Sequence, residues 1–141
     1  TPQTDTNAKP TNSALPKFRN LYTYDEGATH SYAILLLKDR FDFTKIKAAF
    51  DKYNAENYAI ANLTITIEQF GANRIIFINS FPNANAAKSY LLRIVKETQL
   101  YEALQEADYR NLIGTKDNFD VLKKTGTLSI YIDFMREFYL K

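Results

Sequence analysis

An α+β fold built around one antiparallel sheet is what this sequence predicts, and three observations predict it. Strand-like and helix-like patterns alternate as β-α-β-β-α-β before a helical tail. The first and third strands, Ser31-Tyr-Ala-Ile-Leu-Leu-Leu37 and Arg74-Ile-Ile-Phe-Ile-Asn-Ser80, are apolar on both faces, which marks them as central. The second, Leu63-Thr-Ile-Thr-Ile-Glu-Gln-Phe70, alternates apolar and polar residues and has the single wet face of an edge strand. Right-handed crossovers put strands one and three in the middle of a split βαβ sheet. Order and burial pattern therefore agree on a ferredoxin-like βαββαβ antiparallel sheet with additional C-terminal helices.

Residues 1–29 read as a linker or disordered arm. Thr, Asn, Pro and Gln dominate its first thirteen positions and no period of 2 or 3.6 is present. Leu15, Phe18, Leu21, Tyr22 and Tyr24 could dock the end of that arm onto a single domain spanning 30–141. The first strand runs from His30 to Lys38. Asp42 then caps a helix that places Phe43, Ile46, Ala49, Phe50 and Tyr53 on one face and ends by Asn57. The second strand covers Asn62–Phe70, and a turn at Gly71-Ala72-Asn73 leads into the third, Arg74–Ser80. Asn83 or Asn85 caps the next helix, which buries Ala87, Tyr90, Leu91 and Ile94.

A short helical turn at Leu100–Gln105 follows, then a fourth strand at Asn111–Thr115. A brief helix, Phe119–Lys124, stops at Gly126. The last helix starts near Thr127 and carries Leu128, Tyr131, Ile132, Met135, Phe138 and Tyr139 as a broad apolar stripe. Two helices on one side of the sheet leave aliphatic residues of both central strands bare on the other. The C-terminal helix is the first candidate for that cover, with a homodimer or a bound partner as the alternatives.

The 141 residues suffice for one domain with a real core, and 45% of them are hydrophobic. Eighteen basic residues are dispersed among sixteen acidic ones, so the basic stripe of a nonspecific nucleic-acid binder is missing. An RNA-recognition reading of the βαββαβ order fails on the third strand, which lacks the stacking aromatics and the basic-glycine pair. No run reaches the roughly 18 apolar residues of a membrane-spanning helix. The absence of Cys removes disulfides and thiolate metal ligands.

His30 is the only histidine, and at a strand start it reads as a solvated or capping residue rather than a triad member. Asp39, Asp42 and Glu68 could in principle form a magnesium site, but solvated surface charge explains them better. Gly27, Gly71, Gly114 and Gly126 make no phosphate-cradling pattern. Lys88, Arg93 and Lys96 read as the wet face of a helix. The sequence assigns no catalytic, cofactor-binding or metal-ligating residue, and an enzyme is not expected.

The first-strand pattern and Arg74-Ile-Ile-Phe-Ile-Asn-Ser-Phe-Pro-Asn-Ala-Asn-Ala-Ala87 resemble the C-terminal domain of Bacteroidetes tetratricopeptide-repeat envelope proteins of the SprE/PorW type. Tyr109-Arg-Asn-Leu-Ile-Gly-Thr115, Asn118-Phe119, Tyr131-Ile-Asp-Phe134 and Phe138-Tyr139 are similar to that family's ending. The resemblance covers residues 30–141. It implies a periplasmic lipoprotein attached to the outer membrane through an upstream helical-repeat region, serving type IX secretion or gliding motility. The opening Thr1-Pro2 fits a fragment of something longer. On this reading the chain is a non-catalytic interaction module whose partners are envelope proteins. The run Ile76–Phe81 with Ala86-Ala87 also resembles the SPOR module, which implies peptidoglycan as the alternative ligand. Small-molecule sensing at a dimer interface ranks third.

Overall fold

The computed structural model describes residues 20–38, 40–102, 104 and 108–140. Strand β1 is His30–Leu36, helix α1 Phe43–Asn57, and the β2–β3 hairpin joins Thr64–Phe70 to Asn73–Phe81. Helices α2 (Ala84–Ile94) and α3 (Thr98–Glu102) precede strand β4 (Tyr109–Thr115), and helices α4 (Lys116–Thr125) and α5 (Leu128–Phe138) close the chain. The sheet order is β2-β3-β1-β4 with every neighbouring pair antiparallel. That is the ferredoxin-like arrangement, with β1 and β3 central and β2 at an edge.

Local chemistry explains the element ends. Asp42 accepts from the Lys45 amide and Asn83 from the Ala86 amide, so both expected caps start their helices. A short 3-10 turn at Ala59–Ala61 ends where Asn62 adopts a left-handed φ of 51°, so β2 begins at Thr64 instead of Asn62. In the hairpin, Phe70 pairs with Asn73 and Gly71 alone takes a positive φ, 57°. This is a two-residue connection with glycine at its first central position, as a type II′ turn requires. Helix α4 is longer than the Phe119–Lys124 read from sequence, because the Thr115 hydroxyl at the end of β4 accepts from the Asn118 amide.

Side-chain parity fixes the two faces of the sheet. Tyr32, Ile34 and Leu36 of β1, with Ile76 and Ile78 of β3, lie beneath α1 and α2, where Tyr32 packs against Tyr90 with ring centroids 5.7 Å apart. The opposite parity carries Ala33 and Leu35 of β1 with Ile75 and Phe77 of β3. These side chains are buried because α4 and α5 lie over them: Phe119 meets Phe77 edge to face at 5.0 Å. Of the stripe on the last helix, Tyr131, Met135 and Tyr139 are buried and Leu128, Ile132 and Phe138 are partly buried, while Phe134, outside the stripe read from sequence, is buried with them. The cover is intramolecular, and it takes two helices where the apolar stripe suggested one.

A third layer joins them. Tyr22 is buried against Tyr131 and Phe134, and its hydroxyl bonds Thr127 Oγ1 at 2.8 Å. Asn118 accepts from the Thr23 amide and donates to the Thr23 carbonyl, while Tyr24 stacks on Phe138. The docking suggested by Tyr22 and Tyr24 is therefore present. Leu15, Phe18 and Asp39 lie outside the described residues.

Candidate functional site

The layer of α4 does not seal the whole second face. Between its first turns and the facing ends of β1 and β3 a groove of about 650 Å³ remains open, within the size range of ligand sites. Thr29 and Ser31 enter from β1's start, Phe77, Asn79 and Ser80 from β3, Glu68 from β2, and Lys116, Phe119, Asp120 and Lys123 from α4.

Each wall has a local cause. The β1–β3 register slips between His30 and Ser31, since His30 faces Phe81 while Ser31 faces Asn79, and Ser80 is the extra residue. A bulge of this kind re-aims side chains at a sheet's rim. Here it leaves Ser80 exposed at the mouth of the groove, and the Asn79–Ser80 peptide is cis. Deeper in, the Ser31 hydroxyl donates to Asn79 Oδ1. That bond uses one lone pair of the amide oxygen, and the donors of the side chain are the N–H groups of its amide nitrogen.

Charge alternates along the α4 wall. Lys116 Nζ lies 2.8 Å from Asp120 Oδ2, and Lys123 Nζ lies 2.6 Å from Glu68 Oε1 and 3.7 Å from Asp120 Oδ1. The hydrogen bond to Asp120, and then its charge, push the Lys116 ammonium above the ordinary lysine value. The same bond, with the charges of Lys116 and Lys123, holds the Asp120 carboxyl below its usual value. Among the described residues two cations and two anions balance, so these walls offer no net charge to select a strongly ionic ligand. Lys123 also lies over the Phe77 ring, 5.6 Å from its centroid. Phe77 is thus roofed by an ammonium and only 5% exposed, and Phe119, the other ring in the lining, is 2% exposed.

The residues weighed for chemistry from sequence go elsewhere. His30 is fully buried rather than solvated, because the far end of the chain closes over it and supplies one of its two partners. Nδ1 lies 2.7 Å from the Ala28 carbonyl and Nε2 2.7 Å from the Tyr139 hydroxyl. A carbonyl can only accept, so neutral His30 carries its proton on Nδ1 and accepts a hydrogen bond from the Tyr139 hydroxyl at Nε2. Burial pushes the Tyr139 phenol up, consistent with its role as donor. This imidazole is spent inside the fold.

Asp42 caps α1 and Glu68 pairs with Lys123, so neither stands free for a metal. Among the described residues no group of three His, Cys, Asp or Glu side chains could hold a metal ion. Of His30, Asp42 and Glu68, only Glu68 lines the groove. Sequence reasoning missed Asn79, Lys116, Asp120 and Lys123 as a set. The three-residue and four-residue steps from Lys116 through Asp120 to Lys123 were the available signal for a shared helix face.

Among the described residues, no helix is long and apolar enough to cross a membrane. No family model, no curated protein and no solved structure matches the chain.

Proposed function

We propose that this chain is a non-catalytic interaction module of a bacterial cell-envelope lipoprotein, held on the periplasmic side of the outer membrane and serving a secretion or gliding machine. Its partner is a protein segment that enters the groove between α4 and the β1–β3 strands. The groove itself carries the reading: it is open, charge-balanced and rimmed by an exposed bulge at Ser80. The sole imidazole is sealed in two internal hydrogen bonds and offers no acid or base to a substrate. The envelope setting follows from the family resemblance of residues 30–141.

Peptidoglycan is the second reading, because the groove sits on the sheet face that SPOR-like modules use and combines Phe77 with Asn79 and Asp120. A sugar ring stacks on an aromatic face, and here Lys123 occupies that place over Phe77. The roofed ring favours the protein partner. Co-sedimentation separates the two. The expected result is that sacculi, intact or stripped of stem peptides, leave the chain in the supernatant. A photo-crosslinking residue at Ser80 then forms discrete envelope-protein adducts that one at Leu92, on the opposite side of the sheet, does not. Pelleting on stripped sacculi that is lost in Asn79→Ala would replace the first reading with the second.

A further inference from the structure

The two edges of the sheet are treated differently. On the β4 edge, α5 satisfies the backbone of Ile113 from outside: the Tyr131 hydroxyl donates to its carbonyl at 2.5 Å, and its amide reaches Met135 Sδ at 3.4 Å. Among the described residues nothing equivalent serves β2, which pairs with β3 alone. Its sequence, Thr-Ile-Thr-Ile-Glu-Gln-Phe, carries a single charge, Glu68, which is paired with Lys123 of the same chain, and has no proline, no lysine and no bulge in its register. Those are the usual devices that keep an open edge from pairing.

The hairpin shows which groups are free. Its closing pair, Phe70 and Asn73, exchanges both backbone bonds, and such pairs recur at every second residue. Thr64, Thr66 and Glu68 therefore turn their amides and carbonyls toward β3, while Ile65, Ile67 and Gln69 turn theirs outward. No described segment bonds the outward groups.

We propose that this edge is a self-association surface, where a second copy of the chain adds its own β2 antiparallel to make one continuous sheet. The sequence is self-complementary in one register. With Thr66 on the two-fold axis, Ile65 faces the other copy's Ile67 on the α1 side of the sheet. Glu68 faces Thr64 on the α4 side. Moving the axis one residue later sets Ile65 against Gln69, and two residues later sets Glu68 against Glu68. Moving it one residue earlier pushes the pairing out of β2 into the left-handed turn at Asn62. The contact is isologous and closes at two copies. It places both grooves on one face of the joint sheet, so a partner with two binding segments gains avidity.

Because the chain has no cysteine, the register can be read by cross-linking. Thr66 would meet its own copy at a non-hydrogen-bonded position, where Cα atoms lie about 4.5 Å apart and a disulfide can form. Sedimentation equilibrium of the full chain should give a mass rising with concentration toward twice 16.3 kDa. Thr66→Cys should oxidise to a covalent dimer, and Thr64→Cys and Glu68→Cys should cross-link when mixed but not alone. Thr66→Lys, at an exposed position that does not endanger folding, should weaken self-association about tenfold or more by setting two ammonium groups face to face. A chain that sediments as a monomer at its highest soluble concentration overturns the proposal. A dimer in which Thr66→Cys stays reduced, or in which Glu68→Cys cross-links alone, overturns it equally.

Discussion

Gly114→Ala tests the packing of the second face at its tightest point. A Cβ built at Gly114 falls 1.9 Å from Tyr131 Oη, 3.2 Å from its Cζ and 3.3 Å from Phe119 Cε2. Tyr131 is fully buried between Tyr22, Phe119 and Phe134, and its hydroxyl donates to the Ile113 carbonyl. Ordinary contact distance requires Oη to retreat roughly 1.5 Å, which breaks that bond inside an occupied core. Overpacking costs about 1–3 kcal/mol and the lost buried hydrogen bond about 1–2 kcal/mol, so the variant should lose about 2–5 kcal/mol.

For a domain of this size that corresponds to a fall in Tm of roughly 8–20 °C by circular dichroism. Tyr131→Phe alone should cost about 1–2 kcal/mol, the value of the lost bond. The double variant should be more stable than Gly114→Ala alone, since the ring carbon at 3.2 Å needs to yield only a few tenths of an ångström. Simple additivity in this cycle, or a Tm for Gly114→Ala close to the parent's, would refute the steric account.

Three further outcomes are expected. Asn54 accepts from the Tyr90 hydroxyl at 2.6 Å, but its Nδ2 is buried without a partner among the described residues. Asn54→Leu alone should cost about 1–3 kcal/mol by stranding Tyr90, whereas Asn54→Leu with Tyr90→Phe should be close to neutral in urea denaturation. Tyr139→Phe should cost about 1–2 kcal/mol by leaving His30 Nε2 without its donor. Nitrogen NMR of neutral His30 should show the proton on Nδ1. Asp120 has a folded pKa below its unfolded one, so its contribution is complete above the unfolded value of about 4 and is lost as pH falls through the lower folded value. The pair is exposed, so Asp120→Asn should change stability at neutral pH by less than about 1 kcal/mol, and added salt should shrink the difference.

What the sequence made legible is what repeats along it. Both-face apolarity marked β1 and β3 as central, strict alternation marked β2 as the edge, and Asp42 and Asn83 announced their helices. The illegible parts depend on partners far apart in the chain. His30 sits among polar neighbours and looks solvated until Tyr139, 109 residues away, closes over it. Asn54 reads as part of a polar helix ending, but Tyr90 from the neighbouring helix draws it into the core. Thr115 serves as both the last residue of a strand and the cap of α4, so no loop signalled that helix's true start. The groove's ion pair from Glu68 to Lys123 spans 55 residues and joins two elements that are unremarkable alone.

The bonds that fasten the 20–30 segment to α4 and α5 set an order of assembly. Tyr22 to Thr127, Thr23 to Asn118 and His30 to Tyr139 join residues 95 to 109 apart. Doubling a loop's length adds only about 0.6 kcal/mol of closure entropy, so such contacts are thermodynamically cheap. Kinetically they come late, because their ends meet only after the intervening sheet has drawn them together. The β2–β3 hairpin, with its two-residue turn, sits at the other extreme of sequence separation. The two flanks of the chain are therefore expected to act as a clasp, fastened last and released first. Amides of β4, α4 and α5 should exchange with solvent through a partial opening that leaves those at the β1–β3 core protected.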